Sequence, residues 1–240
     1  MIKVFKNQFV NFRPTFWSSL FSILGIIILI SLGVWQLQRL EWKNQLISQR
    51  ASAFQLPPVE LTLSEDDSSY WNWKKVKITG SFDNSNELYL AARSLRGNVG
   101  FHVLTPFNIL ETNKYILVNR GWVPREKINP NERKIGQIYG EVSIIGIANP
   151  GFKKGPFSPA NDLNKNVWLY MDYEEMSKFV GYKLKPLVID AVESGPGGLP
   201  IGGQTRIKIP NDHLQYSVTW FLFAITLLLV WFFWNKKRIT

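Results

Sequence analysis

The chain has 240 residues, a formal net charge of +10, two histidines and no cysteine. That length has room for one ordinary domain with membrane segments attached. Without thiols there are no disulfides, thiolate metal sites or cysteine nucleophiles, and with methionine only at 1, 171 and 176 a Met-rich copper site is excluded too.

The first element is a charge-free run between Arg13 and Arg39, "PTFWSSLFSILGIIILISLGVWQLQ". About 20 helical residues cross a hydrocarbon core of about 30 Å. The run is longer than a signal-peptide core and ends in Gln36, Arg39 and Trp42 rather than a small-residue cleavage site. It therefore reads as a retained anchor. No Arg- and Ser-rich transit segment precedes it, which favours a bacterial membrane. "EWKNQLISQRASAFQL" prolongs the helix for a few turns, until Pro57–Pro58 stop it.

The texture then turns to β. Strands are predicted at 74–82, 87–93, 100–107, 114–123, 137–149, 166–172 and 185–192, with Val76, Ile78 and Phe82 on one face of the first. A short helix is predicted at "YEEMSKFVG", with Gly181 as its stop. Residues 150–165 read as a long loop. The glycine-rich segment 194–210 fits no phosphate-binding loop and reads as a structured connector at the membrane surface. Six or seven strands at this spacing imply a small barrel or sandwich.

A second apolar run, "LQYSVTWFLFAITLLLVWFFWN", follows His213, with Asn211 or Asp212 as helix cap. Lys3, Lys6 and Arg13 precede the first run, and Lys236, Lys237 and Arg238 follow the second; neither tail holds an acid. Positive tails stay cytoplasmic and suit anionic lipid headgroups. The predicted fold class is two transmembrane helices flanking an extracytoplasmic, mainly antiparallel β domain, barrel- or sandwich-like, with one or two short helices. Its parts are a tail at 1–13, a span at 14–38, the β domain with linkers at 39–212, a span at 213–234 and a tail at 235–240. Both termini are expected on the cytoplasmic side and the β domain in the periplasm. No basic stripe of the kind nucleic acid requires is present.

Residues able to carry chemistry are few. His213, Tyr216, Ser217 and Trp220 share one helix face: an iron-competent ring, a phenol, a small residue and a large indole. That face is a plausible wall for a planar ligand, or simply an interfacial aromatic belt. Trp35, Arg39 and Trp42 form a stripe at the matching end of the first span, with Gln36 and Lys43 beside it. They offer cations for ligand carboxylates, or snorkelling side chains. "VNRGWVP" ends a strand with Arg120, Gly121 and Trp122, either aimed at a partner or forming the fold. His102, in an alternating strand, faces solvent or a hydrogen-bonding neighbour. No Ser–His–Asp arrangement or carboxylate cluster is visible, which favours an assembly or carrier role over catalysis.

Three blocks, in order, carry a resemblance: "LGVWQLQRLEWK", "ILVNRGWVP" and "PIGGQTRIKIPNDHLQYSVTWF". With the two-span layout they resemble the surfeit locus protein 1 family of cytochrome c oxidase assembly factors. Family members often have Ala where this chain has Ser217. The resemblance implies a non-enzymatic inner-membrane protein that aids haem a delivery into oxidase subunit I, with haem a synthase as a further partner. It also implies that His213 ligates haem iron; with the helical stripes described above, Trp35, Tyr216 and Trp220 are then expected to line the site and Arg39 and Lys43 to meet propionates. Arg120, Gly121 and Trp122 would dock the partner. The alternative is a cofactor-free scaffold that holds a subunit I intermediate.

Overall fold

The computed structural model describes residues 11–12, 14–62, 70–205 and 210–237. Lys3, Lys6, Arg13 and Arg238 of the predicted basic tails lie outside the described residues. The chain divides into two compact units, Met1–Gln49 with Lys208–Thr240, and Arg50–Ile207.

The first unit is a helix pair. β1 (Asn11–Phe12) precedes α1 (Phe16–Gln55); α3 (His213–Asn235) precedes β10 (Lys236–Lys237). At 1.5 Å per residue the helices are about 60 and 35 Å long, and both are long and apolar enough to cross a membrane. α1 runs past the span to Gln55, just before the proline pair expected to stop it.

The sheltered residues of α1 include Ser18, Ser22, Gly25, Leu29, Gly33, Gln36 and Leu40, in steps of three and four, with Ser19, Leu20, Ile26 and Leu32 beside them. Ile23, Leu24, Ile27, Ile28 and Ile30 are exposed. This is the pattern of helices that associate through small residues while larger apolar side chains face lipid. On α3 the facing residues are Ser217 and Ala224, both buried. A Cβ on Gly33 would lie 2.7 Å from the Phe221 ring, so glycine there permits the approach. Ser217 Oγ donates to the Gly33 carbonyl at 3.0 Å.

One end of the pair is tied by Asn235. Its Oδ1 accepts from Thr15 N (3.2 Å) and Ser18 Oγ (3.4 Å), and its Nδ2 donates to Trp231 O (2.8 Å). β1 and β10 pair antiparallel beside it. The helices are therefore antiparallel, and residues 11–12 and 236–237 lie at the same end of the unit.

The second unit is a closed barrel. Its strands are β2 (Val59–Glu60), β3 (Lys75–Phe82), β4 (Leu88–Leu95), β5 (Asn98–Ile109), β6 (Lys114–Pro124), β7 (Glu141–Asn149), β8 (Val167–Trp168) and β9 (Leu184–Ala191). The order is β2-β3-β7-β9-β6-β5-β4-β8, and a further β3–β5 pairing, Gly80–Phe82 against Phe107–Ile109, closes the ring. A Cβ on Gly80 would meet the Asn108 carbonyl at 2.0 Å, so closure needs glycine there. β6–β9, β2–β3 and β4–β8 are parallel; the other pairings are antiparallel.

Two cores flank β6 and β9. Ile116, Val118, Leu187 and Ile189 point into the barrel with Val76, Ile78 and Phe107. Leu117 and Val188 point outward to Leu88, Leu90, Trp168, Met176 and Val180. The outer core is covered by α2 (Tyr173–Val180), capped by Asp172 Oδ1 on the amides of Glu174 and Glu175 and ended by Gly181 at φ 87°. A strand buried on both faces shows a continuous apolar run instead of alternation, hence "YILV".

Two predicted strands are shorter in the structure. The 137–149 strand begins only at Glu141, because 130–136 coils into 3-10 turns and Gly140 takes φ 76°. The 166–172 strand keeps only Val167–Trp168, since Asp172 is already committed as the cap of α2.

Gly121 has φ 123°, and a Cβ on it would meet the Ile201 carbonyl at 2.0 Å. We expect Gly121→Ala to cost about 2 kcal/mol or more through strain and clash. For a domain of this size that lowers the Tm by roughly 4–8 °C, measurable by thermal denaturation of the detergent-solubilised chain.

Candidate functional site

The second end of the helix pair collects polar side chains. His213 Nδ1 lies 2.7 Å from Gln36 Oε1, and Asn211 Nδ2 donates to Asn44 Oδ1 at 2.8 Å. The Gln36 oxygen can only accept, so Nδ1 donates in this pair and Nε2 is left outside it. A hydrogen bond that fixes the tautomer and aims the ring is how ligating histidines are held. The sequence placed Gln36 in a stripe with Arg39 and Lys43; only the packing makes it the partner of His213.

Around α1 each residue advances about 100°. Lys43 therefore shares the Gln36 face, Arg39 lies about 60° away, and Trp35 and Trp42 lie further round the same flank. The Arg39 guanidinium sits 5.7 Å from the Trp35 ring and 5.2 Å from the Trp42 ring, and both indoles are exposed. On α3, Tyr216 is exposed and Trp220, half-buried, meets Phe223 edge-on. The structure thus brings His213 and Gln36 together, with Trp35 and Arg39 on the neighbouring flank. It gives Ser217 a different role from the expected one. That small side chain is filled against Gly33 and does not leave a slot for something planar.

In the barrel unit the triplet Arg120, Gly121 and Trp122 turns inward, contrary to the expectation of a surface for a partner. Arg120 is 3% exposed and Trp122 6%. Glu87 pairs with Arg133 through both guanidinium nitrogens and lies 3.6 Å from Arg120. Arg120 also donates to Gly136 O and to Asn84 Oδ1 (3.4 Å). Burial, only partly offset by Glu87 and worsened by Arg133, pushes the Arg120 pKa down to about 10. It stays protonated at neutral pH, and with Phe82, Ile138, Val142 and Ile144 it walls a cavity of about 390 Å³.

The neighbouring residues latch the glycine-rich segment onto the barrel. Trp122 N donates to Ile201 O (2.9 Å) and Ile201 N to Trp122 O (2.8 Å). Asp190 accepts from Asn119 Nδ2 (2.8 Å), Asn149 Nδ2 (2.8 Å) and Thr205 Oγ1 (3.0 Å). Burial raises the Asp190 pKa, against the pull of those donors and of Arg93. Asn119 Nδ2 also lies 3.2 Å from His102 Nδ1, which accepts; His102 thus has a hydrogen-bonding neighbour. Glu87, Arg133 and Asp190 escaped the sequence reading; for Glu87 and Asp190 the signal was a charged residue at the end of an apolar strand, and Arg133 lies in the 130–136 turns.

A family model described as the SURF1 family matches residues 23–225. The chain belongs to the SURF1 family. The Surfeit locus protein 1 of Gallus gallus is 40% identical over 218 residues, covering 84% of this chain and 70% of the relative. That of Homo sapiens is 39% identical over 218 residues, covering 84% and 72%. A SURF1-like protein of Drosophila melanogaster is 35% identical over 227 residues, covering 87% and 74%. The matched region of this SURF1-family chain includes Gln36, Arg39, the Asn119–Trp122 latch, His213 and Trp220. Two of the three sequence blocks, "VNRGW" and "PIGGQT", meet each other across the Trp122–Ile201 bridge.

Replacing Glu87 by Gln leaves Arg120 and Arg133 buried without their counter-charge, which costs about 3–5 kcal/mol. The expected result is a Tm drop of roughly 10 °C or more. Glu60→Gln, which breaks an exposed pair with Lys77, should move the Tm by no more than about 2–4 °C in the same measurement.

Proposed function

We propose that this chain is a non-enzymatic inner-membrane assembly factor for haem–copper (cytochrome c) oxidase, and that it assists haem a on its way into subunit I. Membership of the SURF1 family supports the pathway. The observation that carries the haem reading is the His213 ring, held by Gln36 at 2.7 Å through Nδ1, which leaves Nε2 outside that bond.

The residues present fit the group. His213 Nε2 would ligate the iron, and Gln36 would fix the ring. Arg39, between two exposed indoles, and Lys43 would meet propionates, since a guanidinium pairs well with carboxylates. Trp35, Tyr216 and Trp220 would give the macrocycle apolar and aromatic contact. When bound, the iron supplies an open coordination position that an imidazole nitrogen can fill. A helix end near the membrane interface suits a ligand with an apolar plate and two anionic arms. In this reading the basic tails hold both termini on the cytoplasmic side, and the barrel projects on the other face.

A cofactor-free scaffold that holds subunit I is the second reading. The observation in its favour is the closed seam at Ser217 and Gly33, which leaves no slot for a flat guest between the helices beside His213.

Protein purified from cells that make haem a should show a Soret band. His213→Ala should abolish the band. Gln36→Leu should weaken haem affinity about 10–100-fold through the lost ring anchor, and Arg39→Gln should weaken it without changing the band's position. A band that persists in His213→Ala removes the ligand assignment. Colourless wild-type protein that still co-purifies with subunit I supports the scaffold.

A further inference from the structure

The loop after β7 presents an ordered apolar tip to solvent. Its base is tied by Gly151 N to Asn149 Oδ1 (2.8 Å) and by Met171 N to Phe152 O (2.6 Å). Its tip is closed by Ser158 N to Gly155 O (3.1 Å) and Gly155 N to Ser158 Oγ (2.9 Å). The turn between holds Phe157 out at 97% exposure, with Phe152 at 59%. A large apolar ring held by hydrogen bonds in water is unfavourable for the isolated molecule and marks a contact surface.

The surroundings of the tip have one sign. Lys153 and Lys154 stand between the two phenylalanines, and both are exposed. The Arg93 guanidinium lies 4.0 Å from the Phe152 ring, which joins the loop to the β4–β5 hairpin. That hairpin adds Arg96 and the exposed Val99, and neither 88–110 nor 150–161 contains an acid. Of the flanking acids, Glu87 is buried in its pair with Arg133 and Glu111 stands beyond the opposite end of β5. Asp162 pairs with Lys165 at 3.4 Å, and Asp172 caps α2.

Aromatic rings among Lys and Arg, with no acid interleaved, match the bilayer interface. The rings enter the headgroup–acyl boundary while the cations meet phosphate. The same chain carries two helices long and apolar enough to cross a bilayer. We propose that the 152–157 turn and the β4–β5 hairpin, joined at Arg93 and Phe152, form a lipid-binding surface that seats the barrel unit on an anionic membrane. A protein partner would match the aromatic tip equally, but the exposed cations Lys153, Lys154 and Arg96, with no acid interleaved among them in the chain, favour phosphate headgroups.

The chain's lack of cysteine makes the test direct. Ala160→Cys, beside the tip, and Thr112→Cys, at the opposite end of β5, each receive an environment-sensitive fluorophore. The full chain is reconstituted in pure phosphatidylcholine vesicles and in vesicles mixed with phosphatidylglycerol. The proposal expects brominated lipid to quench the label at 160 several-fold more than that at 112, and more strongly with phosphatidylglycerol present. Phe157→Asp, or Lys153→Glu with Lys154→Glu, should remove the difference while leaving thermal denaturation unchanged. Equal quenching at 160 and 112 in both vesicles overturns the proposal. So does a label at 160 that is protected only when oxidase subunits are added, which would assign the surface to a protein. The readout does not involve haem, so it stands or falls apart from the function proposed above.

Discussion

The main chains of α1 and α3 approach closely enough at Gly33 for a serine hydroxyl to bond a helix carbonyl, and the helix unit is built around that approach. Lipid tails are as apolar as leucine, so burial of apolar surface does little to hold two such helices together. Close packing and interhelical hydrogen bonds do it instead. Gly25, Gly33, Ser217 and Ala224 permit the packing. Asn235 at one end, and His213 with Gln36 at the other, supply the polar ties. The antiparallel arrangement then has a chemical consequence. It carries Gln36 to Nδ1 of His213. The residue that aims the imidazole comes from a different helix, 177 positions away in the chain.

The barrel unit depends on a comparable constraint. β6 is buried on both faces, so its apolar residues are spent on two cores and its last residues must place polar groups inside protein. Asn119, Arg120 and Trp122 are satisfied there by Asp190, Glu87 and the Ile201 backbone. Buried polar groups are stable only when such partners are complete. This gives a physical reason for two separated blocks of the sequence to occur together: each supplies what the other lacks. It also separates the molecule's faces. The triplet at 120–122 organises the interior, whereas the aromatic and basic loop at 152–157 is tied at its base and turns Phe157 outward.

Much of the architecture was legible in the residues. Charge-free runs of sufficient length declare themselves, proline pairs stop helices, and Gly181 ends α2 by its cap chemistry. The β texture was equally plain where strands bury one face. It was least exact at 137–140 and 169–172, where turn and cap preferences override a β-rich composition. The presence of His213 at a helix start near Tyr216 and Trp220 was visible. So was the Trp35–Arg39–Trp42 stripe, because helical spacing fixes which residues share a face.

The sequence by itself therefore determined the two apolar helices, the β domain between them and the ring at the head of α3. Tertiary structure alone decided that Gln36 and not Arg39 meets that ring, and that Ser217 closes a helix seam instead of opening a slot. It also decided that Arg120 and Trp122 point into the protein. The reason is one of range. Periodicity and capping act within a few residues, and the chain records them locally. The direction in which a polar side chain is satisfied depends on groups tens to hundreds of positions away, and folding alone brings those together.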